Sequence, residues 1–132
     1  MNATRLKALS VLTLLVAPAA TPAIAQDIPR QVDALTASPD NFRLIVENDQ
    51  VRVLEYNLLP GQKDRRHTHP QRVAHVIAGG KLRVGFPDGT HKDFDEIAGT
   101  SEWNGPAPLH DTQNIGSTPI KILLVEVKQR PR

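Results

Sequence analysis

Residues 73–94 read VAHVIAGGKLRVGFPDGTHKDF. Val73 to Ala78 and Lys81 to Phe86 are β-prone runs on either side of Gly79-Gly80. Pro87-Asp88-Gly89-Thr90 comes next, and His91 to Phe94 continues beyond it. An Asp-Gly pair between two β runs specifies a tight hairpin. The same grammar extends in both directions. Upstream, Phe42 to Glu47 is a strand, Asn48-Asp49 a turn, and Val51 to Leu59 a half-buried strand ended by Pro60-Gly61. Downstream, Ser101 to Asn104 is a short strand and Gly105-Pro106-Ala107-Pro108 a rigid loop. Leu109 to Asn114 follows, then a Gly116 to Pro119 turn, and the apolar strand Ile120 to Val127. About eight to ten short strands, with turns every 8–12 residues or so and no convincing long helix, specify an all-β sandwich or barrel.

The N-terminal part has another character. Arg5 and Lys7 precede a short apolar run, Ala8 to Val16, which Pro18 and Pro22 interrupt. Ala23-Ile24-Ala25 sets small residues where a signal peptidase reads them. The run is well short of the roughly 20 residues that cross a bilayer. Residues 1–25 are therefore expected to be a signal peptide, and the protein periplasmic or secreted. Residues 26–41 form an arm with one helical turn expected around Val32 to Leu35. Residues 42–128 form the domain, and 129–132 a polar tail.

Composition narrows the function. The whole chain carries 16 Lys+Arg against 14 Asp+Glu; Arg5 and Lys7 account for the excess, so the mature chain is formally neutral. A neutral domain has no electrostatic footprint for nucleic acid, nor for a membrane surface once the signal is removed. Cysteine is absent, which excludes disulfides, thiolate catalysis and Cys-ligated clusters. Ser10 and Ser38 lie outside the domain, Ser101 and Ser117 lack a His or acid pattern for a nucleophile, and no glycine-rich phosphate loop is present.

His67-Thr68-His69 is the first chemical signal. Residues i and i+2 of a strand share a face, so two imidazoles project side by side; a polar strand end would read the same way. His110 opens a strand about forty residues later, which an antiparallel barrel can lay across from the first. Three neutral imidazoles with open positions suit Fe, Mn, Zn, Ni or Cu, and the sequence does not distinguish them.

The two stretches resemble the cupin motifs. Gly61, five residues, His67-Thr68-His69 and then Gly79 or Gly80 resemble the first motif; Pro106-Ala107-Pro108-Leu109-His110 with Asn114 resemble the second. The likeness runs from about Arg43 to Lys128, nearly the whole mature chain. It implies a cupin-type jelly-roll barrel, a double-stranded β-helix, with His67, His69 and His110 as metal ligands. It also implies a homodimer, in which residues 26–41 could serve as a swapped arm. Two departures stand out. Pro108 replaces a motif glycine, and the family's acidic ligand is missing: no Glu or Asp occurs between Asp64 and Asp88. Gln71, Arg72, His75 or water fills that place, with His75 and Gln71 as further candidate ligands. Arg72 beside an ion would favour an acidic substrate.

Arg72, Trp103, Tyr56 and Asn114 are the candidates for lining the pocket, Asn114 also for a structural turn hydrogen bond and Trp103 also for core packing. Three states of the site are open: a three-histidine metal centre, a pocket loaded only with substrate, and an empty relic with no cofactor. The corresponding functions are a metal-dependent oxygenase or isomerase on a small organic molecule, a non-catalytic metal or small-molecule binding module, and a metal-free structural cupin acting through dimerisation.

Overall fold

The computed structural model describes residues 30–129. The expected signal segment, residues 1–25, and the end of the tail lie outside the described residues. One helical turn, α1 (Ala34–Ala37), precedes nine strands. They are β1 (Phe42–Glu47), β2 (Val51–Leu58), β3 (His67–His69), β4 (Arg72–Ala78) and β5 (Gly80–Gly85), then β6 (His91–Glu96), β7 (Ser101–Asn104), β8 (Ala107–Asn114) and β9 (Ile120–Val127). They form two antiparallel sheets, β1-β2-β9-β4-β7 and β3-β8-β5-β6. The helical turn stands two residues later than expected because Asp33 caps it, its carboxylate accepting from the Thr36 amide at 3.1 Å.

Strand alternation builds the core. In β9 every second residue is buried: Ile120, Ile122, Leu124 and Glu126. Leu54, Tyr56 and Leu58 of β2 do the same, and Phe42, Val76 and Leu82 complete the cluster between the sheets. The hairpin after β5 forms where the Asp-Gly pair requires it. The Gly89 amide donates to Phe86 O at 3.0 Å with Gly89 at φ +85°, a conformation suited to glycine.

The loop before β3 is laid along β8. Gly61 donates to Asn114 O at 2.9 Å, Asn114 to Gln62 O at 3.0 Å, and Asp64 to Thr112 O at 3.0 Å. These bonds deliver the chain to His67 in register opposite His110. The arm covers the other side of β3: the Thr68 amide donates to Val32 O at 2.8 Å. The rigid loop read from the sequence is shorter than expected. β8 already starts at Ala107, and Pro108 sits beside a register shift between His67 and His69, where a strand tolerates a residue without an N–H.

Candidate metal centre

His67, His69 and His110 come together, all buried. One side-chain nitrogen from each lies within 4.8 Å of the others. β3 supplies two rings from one face and β8 the third, with His67 directly opposite His110. The ring centroids are 4.5 to 5.6 Å apart. Phe42 packs edge-on against both β3 histidines, at 5.0 and 5.8 Å.

Each ring is held from behind at the same atom. Nδ1 of His67 lies 2.7 Å from Arg65 O, Nδ1 of His110 lies 2.7 Å from Pro108 O, and Nδ1 of His69 lies 2.7 Å from Glu126 Oε1. Carbonyl and carboxylate oxygens only accept, so each Nδ1 donates. In the neutral rings each Nε2 is then a bare lone pair. Yet Nε2 of His67 and Nε2 of His69 are 3.0 Å apart. Two lone pairs at that distance repel unless a cation lies between them. Two imidazole nitrogens each about 2.1 Å from one ion would be drawn about this close together. The donor set therefore fits a divalent metal. Burial pushes His69 down to about 4 and lowers His110, so both rings are neutral near pH 7 and available as ligands.

Glu126 is the functional residue that the motif comparison missed. It is 1% exposed and holds Arg52 as well as His69, with Arg52 Nη2 at 2.7 Å. Burial raises its pKa, but the bonds from His69 and Arg52 more than reverse that, and it stays below the ordinary carboxylate range. Arg52 in turn pairs with Asp33 at 2.6 Å. The acid absent from the expected ligand place thus occurs behind a ligand, on β9. Its signal was the alternation Ile120, Ile122, Leu124, Glu126, which put a carboxylate on the buried face.

A second buried acid sits below His67. Asp64 accepts from the Thr112 amide and hydroxyl, both at 2.6 Å, and from the Tyr56 hydroxyl at 2.9 Å. Burial and the Asp64 charge push the Tyr56 phenol far above its ordinary value. Asp64 is 3.9 Å from His67 Nδ1, too far to bond it.

The trio opens into a cavity of about 340 Å³ between the sheets. Arg72 and Tyr56 line it, as read from the sequence. Three other readings need correction, and Asn114 takes the structural rather than the pocket-lining role read for it. His75 faces away: Arg72, Ala74 and Val76 point into the cavity, so the odd position of the strand points out, and its ring meets Ser101 Oγ at 2.8 Å. Gln71 is not part of the cavity wall; it lies just before β4, where its carbonyl accepts from Val127 N–H at 2.9 Å. Trp103 is 59% exposed, because its neighbours Glu102 and Asn104 take the inward positions of β7. Asn114 is fully buried and structural: its amide donates to Leu58 O at 2.9 Å and Thr118 O at 2.8 Å and its oxygen accepts from Gly116 N at 3.0 Å.

Comparison with solved structures agrees with this architecture. A cupin domain from Bordetella pertussis Tohama I aligns with a TM-score of 0.61 at 21% identity, over 76% of this chain and 98% of that one. An RmlC-like cupin family protein with a double-stranded β-helix fold, from Methanocaldococcus jannaschii, aligns with a TM-score of 0.53 at 16% identity, over 80% of this chain and 86% of that one. A Klebsiella pneumoniae protein with a double-stranded β-helix domain aligns at 0.51 and 21% identity, over 67% and 84%. No family model and no curated protein matches the sequence. The described residues have the double-stranded β-helix fold of these cupin structures. Within it, three histidines stand close enough to hold one metal ion.

Proposed function

We propose that this chain is an exported cupin-domain protein that binds one divalent transition metal through His67, His69 and His110 and presents it to a small organic molecule in the barrel. One observation carries the reading. All three Nδ1 atoms are committed to acceptors, which leaves Nε2 of each ring free in a cluster whose ligand nitrogens lie within 4.8 Å of one another in the cavity wall. When bound, the ion would act there as a Lewis acid on an oxygen of the organic ligand. The remaining work belongs to the chain. Glu126 holds the His69 ring in one tautomer and orientation, as such carboxylates do behind metal-binding histidines. Phe42 fixes the two β3 rings. Val76, Leu82, Ile122 and Leu124 give the ligand an apolar stretch of wall. Oxygenase and isomerase chemistry both suit such a site, and the fold does not choose between them. Export is supported by the basic, apolar and Ala-Ile-Ala pattern of residues 1–25.

Metal analysis of the full chain, produced without an affinity tag, tests the site. The expected result is about one transition metal per chain, lost in the His67→Ala, His110→Ala double variant. A wild-type protein that takes up no metal at neutral pH, or a double variant that retains it, would overturn the reading.

A further inference from the structure

Among the described residues, Arg43, Arg52, Arg66 and Arg83 each face a carboxylate within 3.4 Å. Arg72, in the cavity wall, has no carboxylate partner among the described residues. Its Nε is buried with no hydrogen-bond partner, and Nη1 reaches only Gly105 O, at 3.4 Å. Glu126 is near enough for its charge to be felt, but both its oxygens are already taken, one by His69 and one by Arg52. A half-buried guanidinium whose Nε is buried without a partner is costly unless an acceptor comes to it. A planar fork of N–H groups matches a carboxylate best.

The rest of the wall shows what would be attached to that carboxylate. Beyond Arg72 on β4 the inward residues are Ala74 and Val76. Leu82, Val84, Ile122 and Leu124 also line the cavity. Lys92, Glu96 and Glu102 also line the cavity, so the apolar stretch is one part of its wall; the cavity joins a cationic donor to that stretch, with room for a small organic molecule. We propose that Arg72 anchors the carboxylate of a small carboxylic acid whose apolar body lies along this stretch. This deepens the function proposed above: an anion would also offset the positive charge of an ion held by three neutral imidazoles. The anchor itself depends on Arg72 and not on the ion.

Calorimetric titration of the full chain, metal-free and zinc-loaded, with hexanoate and with hexan-1-ol tests the proposal. Hexanoate is expected to bind the wild type at least about tenfold more tightly than hexan-1-ol. Arg72→Gln should lose about tenfold in hexanoate affinity while keeping that for hexan-1-ol, which also shows that the apolar stretch is intact. Arg72→Lys should recover part of the loss. Equal hexanoate affinity in wild type and Arg72→Gln, or no hexanoate binding in either metal state, would overturn the proposal. If the chain takes no zinc yet Arg72→Gln still weakens hexanoate, the anchor stands and the metal centre falls. If zinc loads and Arg72→Gln changes nothing, the metal centre stands and the anchor falls.

Discussion

Glu126 Oε1 lies 2.7 Å from Nδ1 of His69, and the other Glu126 oxygen is held by Arg52. This buried carboxylate sets the tautomer of one proposed ligand and supplies negative charge one bond away from the centre. Glu126→Gln keeps an acceptor of similar shape but removes the charge. Its expected effect is a fall of about 10- to 100-fold in metal affinity with the fold retained. Competition titration against a chelator measures it. Unchanged affinity would mean that the carboxylate serves packing only.

The same residue shows what the sequence made legible. The strands, the Asp-Gly hairpin and the His67–His69 pair followed from alternation, turn chemistry and spacing, because those are local properties, while His110 joined them through its likeness to the second cupin motif. Glu126 was legible in principle: it occupies the buried face of an alternating apolar strand. The motif's acid is expected a few residues past His69 in sequence, whereas Glu126 reaches His69 from β9, far along the chain. Trp103 failed for another reason. Which face of a four-residue strand points inward depends on its pairing with β4, and no local pattern sets that.

His75 separates parity from proximity. It is only six residues beyond His69, yet it points out of the barrel and meets Ser101. His75→Ala is expected to leave metal stoichiometry and affinity unchanged, whereas His69→Ala should abolish tight binding. Elemental analysis of both variants after identical loading decides it. A loss of metal in His75→Ala would show that the β4 face assignment is wrong.

Asn114 closes the barrel at the end of β8. Its side chain satisfies two carbonyls and one amide in a fully buried position. Asn114→Ala strips those partners without offering water in exchange, and the expected cost is on the order of 2–3 kcal/mol. Urea unfolding should show the loss as a lower midpoint, while metal bound per folded molecule stays the same. A variant as stable as wild type would mean that the freed groups find other partners.

Glu96 gives a pH dependence away from the histidines. Burial, and then the neighbouring Glu102, raise its carboxyl pKa above the ordinary value. The folded protein therefore holds this proton more tightly than the unfolded chain does. Stability from the group is fully present below the unfolded value of 4.5 and is lost as pH rises through the raised folded value. At neutral pH the ionised carboxylate carries the whole cost. Glu96→Gln removes it, so the variant is expected to be more stable than wild type at pH 7, by less than about 1 kcal/mol. The advantage should shrink towards zero as the pH falls below 4.5. Thermal midpoints of the two proteins across this range measure the difference. A gain that does not change with pH would assign the effect to packing, and a loss at pH 7 would show that the carboxylate has a favourable partner.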